Sequence, residues 1–300
     1  MNHDDSVTAH LFGEPRVARD GILISVPPAS MRLFAFLLTR PGRHASRAQL
    51  MGALSEVGSE ASARRRLNTV VWRLRCVLES DGVPREDVIA STPHGLAIAA
   101  GCTVWVDVEE FDRSCQVART VADWTVDDVQ AVRRGLDHYG GEFLDGLYDD
   151  WALAERTRLS EIHLSTLLRL VRWHEQSGEF EPALEFARAA AATEPLREDL
   201  QRLLMRQYRC AGLPEMAVQH YEWYRELLAG ELGVAPLPET REAGLGGATA
   251  AGLSVQSATR TVLEVLGELE RTRAELRLMA GQVEHSISAL RGQLVTNRTP

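Results

Sequence analysis

Along residues 62–78 the apolar positions recur at Leu67, Val70, Val71, Leu74 and Leu78, spacings of i, i+3, i+4, i+7 and i+11. That period draws a single stripe on a helix of 3.6 residues per turn and predicts a helix with one buried face. Projection at about 100° per residue sets Arg65, Thr69 and Trp72 opposite the stripe, with Asn68, Arg66 and Arg73 on its shoulders. The stretch holds five arginines and no acid. A solvated helix face ordinarily mixes signs, and an outward tryptophan leaves apolar surface in water unless something covers it. Taken alone, the pattern fits a nucleic-acid surface and the solvated face of a core helix equally well.

The pattern on either side narrows the choice. Residues 7–12, 16–18 and 22–26 are short β-rich pieces separated by Gly13-Glu14-Pro15 and Arg19-Asp20-Gly21, which predicts a small antiparallel sheet. Residues 28–39, with Met31, Leu33, Phe34, Phe36 and Leu37, predict a buried helix stopped by Pro41-Gly42. A second helix is predicted over residues 46–54, where Ser46 and Gln49 have the spacing of a capping box ahead of Leu50, Met51 and Leu54. After the arginine helix, Asp81-Gly82 and Pro84 break the chain, and residues 88–91 and 96–99 bracket Thr92-Pro93-His94-Gly95 as a hairpin. Sheet, three helices and closing hairpin predict a winged helix.

Farther along, helical periodicity predicts helices near residues 126–138, 151–176, 182–192, 196–210 and 214–231. Gly178 and Ala183 recur 34 residues later as Gly212 and Ala217, although Phe180 does not recur at Pro214. That is the tetratricopeptide period, and Ala190, Pro195 and Tyr208 supply the small residue, breaker and aromatic its helix pairs use. Such arrays ordinarily offer a concave surface to a partner. Residues 243–258 are rich in Gly, Ala and Ser and read as a flexible linker. From Val262 to Leu294 apolar positions alternate spacings of four and three, interrupted by Arg273 in the seam and weakened by Gly267, Gly281 and Gly292. We expect homodimerisation through this helix, with folding back onto the preceding helices as the alternative.

The expected fold is mainly α with a small β component. A winged helix-turn-helix domain spans residues 1–101 and a tetratricopeptide-like α-helical bundle residues 102–242. A linker over 243–258 and a C-terminal extra helix over 259–296 follow, the latter a candidate coiled coil.

Composition changes this picture in five ways. At 45 % hydrophobic, 300 residues suffice for two cores. No window approaches 18 uninterrupted apolar residues, and MNHDDSVTAH lacks a basic segment leading into an apolar run, so neither a membrane span nor a signal peptide is expected, and the location expected is cytoplasmic. The four cysteines Cys76, Cys102, Cys115 and Cys210 share no metal-binding spacing, which favours reduced thiols and no metal. All 33 basic residues are arginine, so no P-loop, Schiff-base or kinase-type lysine exists. The net charge of −9 divides unevenly: residues 1–101 carry +2 and residues 102–300 carry −11. An acidic remainder would hold DNA to the front domain.

Candidate chemistry points the same way. His163, His174 and His220 are scattered, and no HExxH, GxSxG or GxGxxG occurs. The acid pairs Asp127-Asp128 and Asp149-Asp150 sit at helix starts, where negative charge suits the dipole. We expect no catalytic residue, no cofactor and no enzyme activity. For DNA, arginine pairs bidentately with guanine, asparagine with adenine, and threonine meets a base edge or a thymine methyl. Arg65, Asn68, Thr69 and Arg73 are thus candidates for base reading. Arg64, Arg66 and Arg75 on the flanks suit phosphate, where more than half of protein–DNA hydrogen bonds go. Trp72 suits a sugar, a thymine methyl or a neighbouring protomer, and Thr92 and His94 stand in the wing.

Residues 7–99 resemble the winged-helix effector domain of OmpR-type regulators. Val104-Trp105-Val106-Asp107-Val108-Glu109-Glu110-Phe111, then Gly141-Glu142-Phe143-Leu144-Asp145-Gly146-Leu147 with Trp151 and residues 156–159, resemble the bacterial transcriptional activator domain. So do Tyr221, Arg225-Glu226-Leu227-Leu228 and Glu231-Leu232-Gly233-Val234-Ala235-Pro236. In this order the two domains resemble the Streptomyces antibiotic regulatory protein family over about residues 7–240. The resemblance implies a transcriptional activator of a secondary-metabolite (antibiotic) gene cluster that binds repeated sites in double-stranded promoter DNA and contacts RNA polymerase holoenzyme. One departure is the wing, which here lacks the usual basic residue. Neither a P-loop ATPase module nor a receiver domain is recognisable. The alternative is a helical-repeat interaction protein whose winged helix does not bind DNA.

Overall fold

The computed structural model describes residues 6–54, 59–79 and 88–246, and no described helix is long and apolar enough to cross a membrane. The expected breaks at Asp81-Gly82 and Pro84, the expected linker from residue 247 on and the heptads from Val262 lie outside the described residues, while residues 243–245, expected to open that linker, are helical instead.

The front of the chain is built on a four-stranded sheet in the order β3-β2-β1-β7, from β1 (Ser6–His10), β2 (Arg16–Arg19), β3 (Ile22–Ile24) and β7 (Thr103–Val106). The first three run antiparallel, as their turn residues require, with Asp20 and Gly21 at positive φ between β2 and β3. The sequence pattern did not anticipate β7, which joins β1 in parallel from nearly a hundred residues away.

Helix α1 (Pro28–Leu38) buries eight of its eleven residues. Helix α2 (Arg47–Ala53) opens with the predicted capping box: Ser46 Oγ accepts from Gln49 N at 3.3 Å, and Gln49 Oε1 accepts from Ser46 N at 2.9 Å. The short strand β4 (His44–Ser46) leads into it and pairs with β6 (Gly95–Ile98), which also pairs with β5 (Ile89–Ser91). Helix α3 (Glu60–Leu78) begins two residues before the stretch 62–78, capped by Ser59 Oγ on Ser62 N. Its buried residues are Leu67, Val70, Val71, Leu74 and Leu78, the predicted stripe.

The helical part comprises α4 (Asp107–Thr120), α5 (Val126–Leu136), α6 (Asp150–Gln176), α7 (Phe180–Thr193), α8 (Glu198–Cys210), α9 (Pro214–Glu231) and α10 (Pro238–Leu245). The 34-residue repeat is physical: Gly178 and Gly212 both take positive φ just past α6 and α8, and Ala183 and Ala217 are both fully buried where helices approach.

Two apolar cores result. One joins the sheet and α1 to α3 with Phe111, Phe143, Leu159 and Ile162, so it runs past residue 101 without interruption; the other fills the repeats from α5 to α9.

Asp107 explains the continuity of the first. Its carboxylate is 2 % exposed and accepts from Leu11 N (2.9 Å), Phe12 N (3.1 Å) and Val108 N (2.8 Å), tying the end of β1 to the start of α4. The Gly141-to-Leu147 motif does the same on the other side. Leu144 N donates to Leu11 O, Gly13 N donates to Glu142 O, and Arg156 caps the carbonyls of Phe143, Leu144 and Leu147.

Candidate nucleic-acid interface

Burying the apolar stripe of α3 fixes what its other side presents. Arg64, Arg65, Asn68, Thr69, Trp72 and Arg73 are all exposed, at i, i+1, i+4, i+5, i+8 and i+9 of one helical face. Trp72 is 57 % exposed, an unusual amount of apolar surface for a large aromatic. Arg66 and Arg75 are half-buried on the flanks.

The arginines differ in how they are engaged. Arg65 and Arg73 form no ion pair with any described residue. Arg64 meets Glu60 at 3.2 Å one turn earlier, an exposed pair of the kind that exchanges readily for another anion. Arg75 is held: its Nε donates to Ile89 O and a terminal nitrogen to Ser91 Oγ, both at 3.0 Å, which pins α3 to the wing hairpin. Thr69, exposed, donates its Oγ1 hydrogen to Arg65 O at 3.1 Å, so its hydroxyl is engaged within the helix.

In the wing, Thr92 and Gly95 close a tight turn through both backbone bonds, and Thr92 Oγ1 also accepts from Gly95 N at 2.9 Å. Thr92 is therefore occupied by the turn, whereas His94 is exposed at its tip. Gly95 is required by space, since a Cβ there would stand 1.9 Å from Ala45 O on the paired strand.

Sequence reasoning missed Arg47. It is the first residue of α2, exposed, and donates to Asn68 Oδ1 at 3.4 Å. The capping box marked the helix start, and an arginine directly after it was the available signal. Arg47, Asn68, Trp72, Arg75, Ser91 and Leu96 line a groove of about 230 Å³ between the start of α2, the face of α3 and the wing. Donor forks, an aromatic and an amide on one surface suit phosphates and base edges. Nothing in it resembles a nucleophile beside a base, and among the described residues no three His, Cys, Asp or Glu are grouped to hold a metal ion.

Residues 106–246 match the model of the bacterial transcriptional activator domain. The chain is 32 % identical over 236 residues to Regulatory protein AfsR of Streptomyces coelicolor, which covers 77 % of this chain but 23 % of that protein. It thus spans about a quarter of the length of the AfsR relatives it matches. It is 24 % identical over 217 residues to Transcriptional regulatory protein MoaR1 of Mycobacterium tuberculosis, covering 71 % of this chain and 70 % of that one. Among solved structures, Mycobacterium tuberculosis EmbR in complex with a low affinity phosphopeptide shares the fold, with a TM-score of 0.59, 22 % identity, and coverage of 88 % of this chain and 71 % of that one.

Proposed function

We propose that this chain, which is of the Streptomyces antibiotic regulatory protein type and carries a bacterial transcriptional activator domain over residues 106–246, is a sequence-specific DNA-binding transcriptional activator. The observation that carries the reading is the exposed face of α3, with Arg65, Asn68, Thr69 and Arg73 in one row and two of its arginines free of any ion pair with a described residue. In a helix-turn-helix the second helix enters the major groove while the first crosses the backbone. By that geometry α3 reads bases, and Arg47, Arg64 and Arg66 meet phosphate. Arg75 positions the wing, and His94 is the wing's contact.

The remainder of the proposal follows the family. The promoter sites are repeated, the controlled genes form an antibiotic or other secondary-metabolite cluster, and the activator domain contacts RNA polymerase holoenzyme in the cytoplasm. A homodimer places two α3 helices on two repeats. The shared core around Asp107 and Arg156 supports this mechanism, because it makes the winged helix and the start of the activator domain one rigid lever rather than two beads on a string. A mobility-shift titration of the full chain on the DNA upstream of its neighbouring operon tests it. Retention of that DNA in the presence of random competitor supports the reading, and equal competition by random DNA refutes it in favour of a helical-repeat interaction protein.

A further inference from the structure

The helical repeats hold an arginine-lined face that the DNA-binding reading leaves unused. Arg169 and Arg172 are three apart on α6, while Arg202, Arg206 and Arg209 are four and three apart on α8, so each set shares one face of its helix. The two helices occupy equivalent places in the two repeats and are bridged directly, Gln207 Nε2 donating to Glu175.

The outer three arginines are committed. Arg169 donates to the carbonyls of Ala118, Val121 and Ala122 at the end of α4. Arg202 donates to Thr240 Oγ1, and Arg209 to the carbonyls of Ala243 and Gly244 at 2.9 and 2.6 Å, which fastens α10. The middle two, Arg172 and Arg206, form neither a hydrogen bond nor an ion pair with any described residue, though Arg206 is exposed and Arg172 half-buried. Desolvation by the surrounding side chains holds both guanidinium pKa values below their ordinary range, with neighbouring Arg202 adding to the effect at Arg206 and Glu175 opposing it at both. Glu175 is itself engaged by Gln207, a fully buried side chain whose Oε1 has no hydrogen-bond partner.

Arg172, half-buried without a partner among the described residues, and the exposed Arg206 beside the unsatisfied amide oxygen of Gln207 form an incomplete site. The guanidinium groups want anionic acceptors and the amide oxygen a donor, and a peptide supplies both through its carboxylates and its backbone N–H groups. We infer that this α6–α8 face binds an acidic peptide, with Arg172 and Arg206 each taking one carboxylate.

The geometry suits an extended chain. Helix α7 packs on both α6 and α8, and Gln207 of α8 reaches Glu175 of α6, so Arg172 and Arg206 flank one carboxylate from two helices, and an extended peptide can present carboxylates to both. Guanidinium forks match carboxylates in bidentate pairs. Duplex DNA suits the face less well, because a stiff duplex cannot omit the phosphates that would meet Glu175 and Glu198, whereas a peptide can carry its carboxylates only where Arg172 and Arg206 stand. The inference does not depend on whether α3 binds DNA.

The test uses the full chain and fluorescein-labelled octapeptides of alternating glutamate and serine, or glutamine and serine, followed by anisotropy. The glutamate peptide should bind saturably and more tightly at low salt. The double change Arg172→Gln and Arg206→Gln should weaken it at least about tenfold, lysine at both positions should restore part of that, and Arg65→Ala should leave it unchanged. Without any substitution, alkylation of the exposed Cys210, a neighbour of Arg206, should slow when the glutamate peptide is bound while Cys102 reacts as before. The proposal is overturned by equal binding of the glutamine peptide, by undiminished binding in the double glutamine variant, or by loss with Arg65→Ala. Full competition by inorganic phosphate also overturns it, as the mark of a general anion pocket. If the double variant does not fold, unchanged alkylation of Cys210 overturns the proposal and slowed alkylation upholds it.

Discussion

Asp107→Asn tests whether the winged-helix and activator-domain parts share one core. The wild-type carboxylate accepts from Leu11 N, Phe12 N and Val108 N, and His10 Nδ1 lies 3.8 Å away. Asparagine is nearly the same size but replaces one acceptor oxygen with a donating amide. Whichever way that amide turns, it faces at least one buried backbone N–H, donor against donor. One orphaned buried donor costs about 1–3 kcal/mol, and the bonds that remain lose the strengthening of a charged acceptor, roughly another 1 kcal/mol. Against this, burial raises the pKa of Asp107 above its ordinary value, so the ionised form carries a desolvation cost that asparagine avoids. The net expectation is a loss of about 1–3 kcal/mol at neutral pH. At roughly 2–4 °C per kcal/mol for a domain of this size, the melting temperature should fall by about 2–12 °C.

The sign with pH follows from the raised pKa. The native state holds the Asp107 proton more tightly than the unfolded chain, so this residue contributes stability that is present below pH 3.8 and lost as pH rises through its folded pKa. The gap between wild type and variant should therefore be wider in acid than at neutral pH. Urea unfolding of both proteins at two pH values measures it. A variant of unchanged or higher stability at neutral pH, or a gap that widens as pH rises, refutes the reasoning.

Further expectations concern other sites. Leu74→Ala, in the buried stripe of α3, should cost about 2–5 kcal/mol in urea unfolding, and a change below 1 kcal/mol would mean the stripe is not core. Gly95→Ala sets a Cβ against Ala45 O and should lower the unfolding midpoint by an amount equivalent to about 1–3 kcal/mol. Arg73→Ala should cost about 1–3 kcal/mol on the cognate site and relax one base position, while Arg66→Ala should weaken all sequences alike and lower the salt slope by about 1. Equal behaviour of the two in binding-site selections would sink the division of roles. His163 stacks on Tyr139 at 3.8 Å, and burial holds its pKa down at about 4. The unfolded chain therefore takes up a proton that the native state refuses, and up to about 3 kcal/mol of stability should vanish as pH falls from 6.5 to 4. His163→Gln should show a shallower loss over that window in thermal melts, and an identical slope would contradict the assignment.

What the sequence disclosed follows from how local each signal is. The α3 stripe was legible to the residue because a 19-residue amphipathic helix repeats its signal many times. The capping box at Ser46 and the glycines at 178 and 212 were legible because each acts on its own turn. Strand β4 was invisible at three residues, its pairing with β6 set by a partner about fifty positions away. The run from Val104 to Phe111 was recognised only as a family pattern. It contains a switch from strand to helix at Asp107, and that carboxylate's partners sit at residues 11 and 12. Arg156, within residues 156–159 of the family pattern, likewise has its task set by three carbonyl partners that only the fold brings to it. In the candidate site the exposed row of α3 was foreseen, whereas Arg47 was not, since its approach to Asn68 depends on how α2 packs on α3.

The measurement that bears most directly on the central claim is anisotropy of the full chain on DNA enriched from a random library, against unselected DNA, at physiological salt. The account predicts enrichment of a repeated motif, binding at least about a thousandfold tighter than to unselected DNA, and loss of that preference in Arg65→Ala and Arg73→Ala with folding intact. Failure to enrich any motif, or a preference untouched by both substitutions, contradicts it.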